Sequence, residues 1–288
     1  MEFKHIAVRA GRLSSFLREE LAMSAGLVNR LKWQDRILVN GVPRHTDFQV
    51  SPGDEIAVLL DAPTPQYPAE DGPLTVLYED DHLLAVDKPA GMLIHPSRAT
   101  LTGTLANRVL AHYEATGQKC AFHPITRLDR DTFGIVLLAK NPHVHALFTQ
   151  QQEQKAIVKT YHALTFGVPG EESGIIDAPI ARRELPSLLR YVNYETGKPS
   201  LTHYRVLKTW KNRSLLALQP ITGRTHQLRV HCAHMGFPIL GDPQYGSRES
   251  LVLSGQLGYT TQQLCAKMLR FSHPITGLPM TLTSQLDV

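Results

Sequence analysis

Arg127-Leu128-Asp129-Arg130-Asp131-Thr132-Phe133-Gly134 runs without a break into Ile135-Val136-Leu137-Leu138-Ala139. The second half is a short continuous apolar run, the pattern of a strand buried on both faces of a sheet. The first half crowds two carboxylates and two guanidinium groups onto the loop ahead of it. A carboxylate at the mouth of a buried strand is well placed to project into a cleft, and Arg127 and Arg130 could pair with it or with phosphate. A cluster of loop ion pairs gives the same pattern, so this stretch alone leaves both readings open.

Working outward, short β-branched or aromatic segments bounded by turn residues recur at Leu74–Tyr78, Leu83–Asp87, Thr160–Phe166, Thr202–Thr209, Ser214–Gln219 and Met268–Phe271. Two helical stretches interrupt them: Val144–Gln154, with Leu147 and Phe148 as buried candidates, and Thr225–Met235, stopped by Gly236 and Pro238. Strands and helices do not alternate regularly. The expectation is therefore an α+β domain with a mixed, mainly antiparallel sheet, not a doubly wound one.

Upstream, residues 61–73 carry four prolines in thirteen residues and read as a semi-rigid linker. It divides a small module, 1–60, from a large one, 74–288. In the small module Leu13, Phe16, Leu17 and Leu21 fall at helical spacing over Ala10–Leu21. Ser24 suits the N-cap of a second helix burying Leu27, Val28 and Leu31. Asn40-Gly41 joins two strands, and Glu55–Leu60 is a third. Eight Lys/Arg against seven Asp/Glu over residues 1–60 leave bulk charge undecided about a partner.

Composition narrows the class. The chain has 288 residues, 42% hydrophobic and 19% charged, with a net charge of +4, which is ordinary for a globular protein of two domains. No run approaches the ~20 apolar residues of a membrane span, and Met1–His5 lacks a signal-peptide core. A cytoplasmic protein is expected. Cys120, Cys232 and Cys265 form no CxxC pair, which argues against a disulfide framework and a zinc ribbon.

A second chemical segment is Thr222-Gly223-Arg224-Thr225-His226-Gln227-Leu228-Arg229-Val230-His231. Thr222 or Thr225 can cap its helix. Thr225 and His226 then share a face of hydrogen-bond donors with Arg229, a face suited to a carboxylate or to RNA phosphates. Arg127, Arg224, His226 and Gln227 are the expected substrate contacts. In a third segment, Lys159–Leu164, Tyr161 reads by itself as an ordinary strand aromatic packed in the core, the more frequent fate of a tyrosine. His226, His231 and His234 are spaced five and three apart, which does not align them for a metal, and there is no HExxH. Walker, GxGxxG and GxSxG motifs are missing, so neither cofactor nor metal is expected.

Taken together, "LYEDDHLLAVDKPAGMLIHP" (Leu77–Pro96), "RLDRDTFGIVLLAK" (Arg127–Lys140), "KTYHAL" (Lys159–Leu164), "ETGKPSLTHYRV" (Glu195–Val206) and "ITGRTHQLRVHCAHMGFPILGDPQYG" (Ile221–Gly246) resemble the RluA family of pseudouridine synthases. The likeness runs from about Leu74 to Leu282. Two short helices followed by "ILVNGVPRHTDFQVSPGDEIAV" resemble the S-four RNA-binding domain that often precedes this catalytic domain. The resemblance implies that Asp129 is the catalytic aspartate, Tyr161 the active-site tyrosine and Arg229 the arginine paired with Asp129. It implies that Arg127 touches RNA. Thr126, Phe133 and Cys265 depart from the family, which usually has His, Ser and His there.

Pseudouridine formation breaks the ribose–uracil bond at nitrogen, turns the base and rejoins it through carbon 5. It needs no redox or nucleotide cofactor, and it uses a carboxylate as nucleophile or base. An arginine within about 4–6 Å favours the ionised form of a carboxylate in a water-poor cleft, which is the task expected of Arg229. The target must be flipped out of its helix, and Tyr161 can stack on it. Ribosomal RNA is favoured over transfer RNA as partner, with the protein acting as a monomer. Two alternatives stand: an inactive RNA-binding or ribosome-assembly factor on the same scaffold, and a metal-dependent hydrolase using the histidines.

Overall fold

A computed structural model of the chain describes residues 2–60, 67–97, 99–184 and 187–288. The chain divides into two compact units, residues 1–66 with 113–121, and residues 67–112 with 122–288. Of the proline-rich stretch, residues 61–66 lie outside the described residues; 67–73 carry no regular structure.

In the first unit β1 (Glu2–Ile6), β3 (Ile37–Val39), β4 (Val42–Pro43) and β6 (Glu55–Leu59) form an antiparallel sheet in the order β1-β6-β3-β4. Asn40 and Gly41 turn β3 into β4 with φ of 51° and 76°, the two positive values that a two-residue hairpin of matching twist requires. The helix expected at Ala10–Leu21 starts late. Gly11–Arg12 (β2) pairs instead with Gln49–Val50 (β5), and α1 (Leu13–Ser15) continues as a π-helix over Phe16–Glu20. Its apolar spacing holds all the same, with Leu13, Phe16 and Leu17 fully buried. α2 (Ala25–Lys32) is capped by Ser24, whose Oγ accepts the Leu27 N–H at 3.2 Å.

The second unit adds β7 (Thr75–Glu79), β8 (Leu83–Lys88), α3 (Leu105–Ala115) up to His112, β9 (His123–Pro124), β10 (Phe133–Ala139), α4 (Pro142–Glu153) and β11 (Val158–Phe166). There follow β12 (Ser173–Asp177), β13 (Ile180–Arg182), β14 (Arg190–Val192), β15 (Leu201–Trp210), β16 (Arg213–Pro220), α5 (Gln227–His234), α6 (Arg248–Gln256), β17 (Leu264–Ser272) and β18 (Pro279–Thr283). The main sheet runs β12-β15-β16-β11-β17-β10-β8-β7, with β18 on β17 and β9 on β10. Among its described pairs only β10 with β17 is parallel. This is the α+β, mainly antiparallel architecture expected. β8 and β10 are buried along their whole length, as strands inside such a sheet must be. No helix among the described residues is long and apolar enough to cross a membrane.

One row of this sheet sets up the chemistry. Gly134 of β10 faces Ala266 of β17, and Ala266 faces Tyr161 of β11. A Cβ on Gly134 would stand 2.5 Å from the Ala266 carbonyl oxygen, and its φ is +104°. Only glycine lets β10 and β17 approach there. On the far side the β11–β17 register shifts between Thr160 and Tyr161, where Lys267 of β17 is the extra, unpaired residue of a bulge opposite them.

Candidate active site

Asp129 sits on the irregular segment that leads into β10, and its side chain is 31% exposed. Lys88, at the end of β8 and fully buried, ties this segment down. Its ammonium donates to the carbonyls of Pro89 (2.9 Å), Met92 (2.8 Å) and Arg130 (2.8 Å), one acceptor for each proton. Burial pushes the Lys88 pKa down to about 8, against the opposing pull of Asp131 and Asp129. Thr126 Oγ1 accepts the Leu137 N–H at 2.9 Å, and Arg130 Nε donates to the Gly91 carbonyl at 3.1 Å. The loop that carries the carboxylate is thus bonded on both sides.

Facing Asp129 is Arg229 of α5, with its Nη1 3.4 Å from Oδ2. The closer ionic partner of Arg229 is a different carboxylate. Asp242 takes Nε at 2.7 Å and Nη2 at 2.8 Å in a two-pronged pair, and Nη2 also donates to Gln244 Oε1 at 2.8 Å. Asp242 is fixed in turn by the N–H groups of Gln244 and Tyr245. The Tyr245 ring lies 4.9 Å from the guanidinium carbon. Burial alone would lower the Arg229 pKa, but Asp242, and then Asp129, hold it above its ordinary value. Arg229 therefore presents a pre-formed cation to Asp129, oriented chiefly by Asp242.

His226 completes this corner. It precedes α5 in the left-handed conformation, φ 58°, with Nδ1 2.8 Å from Tyr245 Oη and Nε2 3.9 Å from Asp129 Oδ2. Tyr245 Oη already accepts the Arg190 N–H at 2.9 Å, so its own proton is directed at His226 Nδ1. That leaves the N–H of a neutral imidazole on Nε2, towards Asp129. Burial lowers the His226 pKa, which keeps the ring neutral despite the opposing carboxylate. Distances of 3.4 and 3.9 Å are loose for hydrogen bonds; the carboxylate stays free to engage an incoming atom. Tyr161 is partly buried, and its phenol is raised from its ordinary value, first by desolvation and then by the charge of Asp129. Its hydroxyl makes no hydrogen bond to any described residue.

The structure thus gathers Asp129, Tyr161, Arg229 and His226, and separates the rest of the expected set. Arg127 is exposed, and its charge is felt at His95 and Lys159. Arg224 is exposed, with Nε 3.3 Å from the Pro199 carbonyl. Gln227 departs from the substrate contact expected of it. It is 4% exposed, donates to Leu201 O and Thr202 Oγ1, and accepts from Thr222 Oγ1 and the Arg224 N–H. Its amide is used up in shaping the loop. Neither Thr222 nor Thr225 caps the helix: α5 begins only at Gln227, so no single donor face links Thr225, His226 and Arg229. His231 is buried, with both ring nitrogens bonded, to Thr202 Oγ1 and the Ala178 carbonyl. No group of three or more metal-ligating side chains converges among the described residues. Asp242, Tyr245 and Lys88 were not singled out by residue chemistry, although the stretches that carry them stood out as motifs.

The sequence matches the RNA pseudouridylate synthase family over residues 82–234, more than half of the chain. The chain belongs to the RluA family of RNA pseudouridine synthases. It is 37% identical over 246 residues to the uncharacterized RNA pseudouridine synthase YlyB of Bacillus subtilis, covering 84% of this chain and 79% of that protein. It is 36% identical over 265 residues to the ribosomal large subunit pseudouridine synthase D of Pasteurella multocida, covering 86% and 80%. Among solved structures, human RNA pseudouridylate synthase domain containing 4 superposes with a TM-score of 0.59 at 26% identity, covering 74% of this synthase and 88% of that chain. The enzyme isomerises uridine to pseudouridine in RNA.

Proposed function

We propose that this synthase modifies large-subunit ribosomal RNA in the cytoplasm, acting as a monomer, with Asp129 as the carboxylate that carries the isomerisation. The observation that supports this role is the setting of Asp129: a partly exposed carboxylate facing a buried guanidinium that Asp242 already orients. Cleavage of the bond from C1′ to N1 leaves the electron pair on uracil. After the base turns, the C5–C1′ bond forms, the proton on C5 leaves, and N1 gains one. Asp129 serves as nucleophile at the sugar or as base during these steps. Arg229 holds and orients it, and neutral His226 offers a further N–H. A phenol raised above its ordinary value remains protonated near neutrality, so Tyr161 serves as a stacking surface for the flipped uracil, not as a phenolate base. Arg127 and Arg224, both exposed, contact the RNA backbone.

The first unit is read as an S-four-like RNA-binding module. In support, Trp33 is 73% exposed with Lys32 Nζ 4.7 Å from its ring centre, and Arg44 lies 4.6 Å over Phe48. Such aromatic–cation pairs suit stacking on bases beside phosphates. The names of the ribosomal large subunit synthases among the relatives support the choice of RNA. The test is Asp129→Asn, assayed on ribosomal RNA transcripts by pseudouridine mapping. RNA affinity and melting temperature should stay near wild type while product disappears; full turnover by the variant would remove Asp129 from the mechanism.

A further inference from the structure

A cavity of about 390 Å³ opens beside Arg127, with neither Asp129 nor Arg229 in its lining. Its size falls within the roughly 300–1,000 Å³ of small-molecule sites. One wall is a single face of α4, where His145, Phe148, Thr149 and Gln152 stand at helical spacing. The rest of the lining comes from His95, Phe122, His123 and the segment that reaches Arg127.

The chemistry of its lining distinguishes this cavity from a packing defect. The side chains of His95, His123, His145 and Arg127 make no hydrogen bond or ion pair with any described residue, and His123 Nε2 is buried without a partner. Buried polar groups are ordinarily satisfied, so the buried His123 Nε2 calls for a partner from outside the chain, and the half-buried His95 and His145 and the exposed Arg127 face the same space with their polar atoms uncommitted. No carboxylate lines the cavity, which disfavours a cation. Burial lowers the pKa of His95 and of His123, with Arg127 adding to the effect at His95 and His145 at His123. Neutral imidazoles each offer one donor and one acceptor, which suits the mixed edge of a nucleobase better than it suits a bare anion. Phe122 and Phe148 supply flat apolar contact, and the single guanidinium of Arg127 matches one phosphate.

We propose that this cavity is a second nucleotide subsite, which takes up one unpaired nucleotide of the RNA close to the target uridine, base within and phosphate on Arg127. The Cα atoms of residues 127 and 129 can be no more than about 7 Å apart, so the occupant is a near neighbour of the uridine at Asp129. The inference rests on the reading of Asp129 as the catalytic group. It gives the enzyme a way to recognise sequence context by holding a flanking base out of its stack.

The test is NMR of histidine-labelled full-length protein, titrated separately with the four ribonucleoside 5′-monophosphates and with inorganic phosphate, each to tens of millimolar. At least one nucleotide should shift the His95, His123 and His145 resonances, and inorganic phosphate should not. Thr149→Trp, at an exposed rim position, should fill the mouth and abolish those shifts without changing the melting temperature; His145→Ala is the second variant should the tryptophan disturb folding. On a ribosomal RNA transcript the variant should raise KM by about tenfold, in the range of a lost base stack, with kcat within about twofold. Silence of the three histidines towards all four nucleotides, equal shifts with phosphate alone, or shifts that survive in both variants would overturn the subsite. A wild-type enzyme that forms pseudouridine with silent histidines keeps the Asp129 reading and loses this one. Histidines that respond while Asp129→Asn still turns over give the reverse.

Discussion

Replacing Asp242 with asparagine tests whether the cation facing Asp129 is held in place by a second carboxylate. Asp242 is 1% exposed and accepts four N–H groups: Nε and Nη2 of Arg229 at 2.7 and 2.8 Å, and the backbone N–H of Gln244 and Tyr245 at 3.0 and 3.2 Å. Asparagine can keep the three bonds to Oδ1, but its Nδ2 then points hydrogens at Arg229 Nε, where Oδ2 accepted one. A lost hydrogen bond to a charged group costs about 1.5–3 kcal/mol, and leaving the buried guanidinium short of its counter-charge brings the expected loss to about 3–5 kcal/mol. The remaining carboxylate in reach among the described residues is Asp129. Arg229 should therefore swing towards it, tightening the 3.4 Å contact and occupying the face that the substrate needs. Misplacement on the order of 1 Å in such a site costs roughly a hundredfold in rate. The assay pairs urea unfolding with single-turnover pseudouridine formation. Combining Asp242→Asn with Arg229→Gln removes the stranded charge, so the double variant should be less destabilised than the sum of the singles, by about 1–3 kcal/mol. A single variant within about 0.5 kcal/mol of wild type, with normal turnover and no coupling in the cycle, would refute the shared-guanidinium account.

Gly134→Ala should destabilise by about 2–5 kcal/mol, since the new Cβ meets the Ala266 backbone at 2.5 Å in a backbone conformation that alanine resists. Gly41→Ala, also at positive φ but with open space around it, should cost only about 1 kcal/mol, and equal midpoints in urea for the two variants would contradict the close-approach argument. The Lys88 pKa falls from 10.5 in the unfolded chain to about 8 in the folded one. Between those values the unfolded chain binds a proton that the folded chain has released, so this lysine's contribution to stability is full above pH 10.5 and fades as pH falls to about 8. The difference in stability between wild type and Lys88→Met should climb over that window; a flat difference would count against it. Tyr161→Phe keeps the stacking ring and should retain more than about a tenth of wild-type kcat, with complete loss at unchanged KM assigning proton transfer to the hydroxyl.

Much of this architecture can be read from local pattern, because the pattern and the burial have the same cause. β8 and β10 are apolar without alternation since both faces are covered, and α2 and its Ser24 cap follow from spacing and a single hydroxyl. β12, β13 and β14 escape such reading: they are three to five residues long, several of them exposed, and exist only because a neighbouring strand supplies their partners. α6 escapes as well, its polar serines and glycine giving little periodic signal, although Ser247 caps it. The site divides along the same line. Asp129, Tyr161 and Arg229 are legible through motif resemblance, yet Asp129 and Arg229 are a hundred residues apart and meet only through the packing of α5 beside the sheet. Gln227 looks like one more donor on a helix until the helix proves to begin with it, which turns its amide inward. Asp242 is the sharpest case. Asp-Pro-Gln-Tyr reads as a surface turn, and nothing local demands that its carboxylate be buried. The demand comes from Arg229: once α5 is packed so that this guanidinium is 6% exposed, an uncompensated charge there would cost several kcal/mol, and the turn after Gly241 is where the chain can return a carboxylate to it. Asp129 could not meet that demand alone, because a carboxylate locked in a two-pronged pair would have no oxygen left for the uridine. Two carboxylates on one arginine divide the work, one neutralising the cation and the other left loosely held for chemistry.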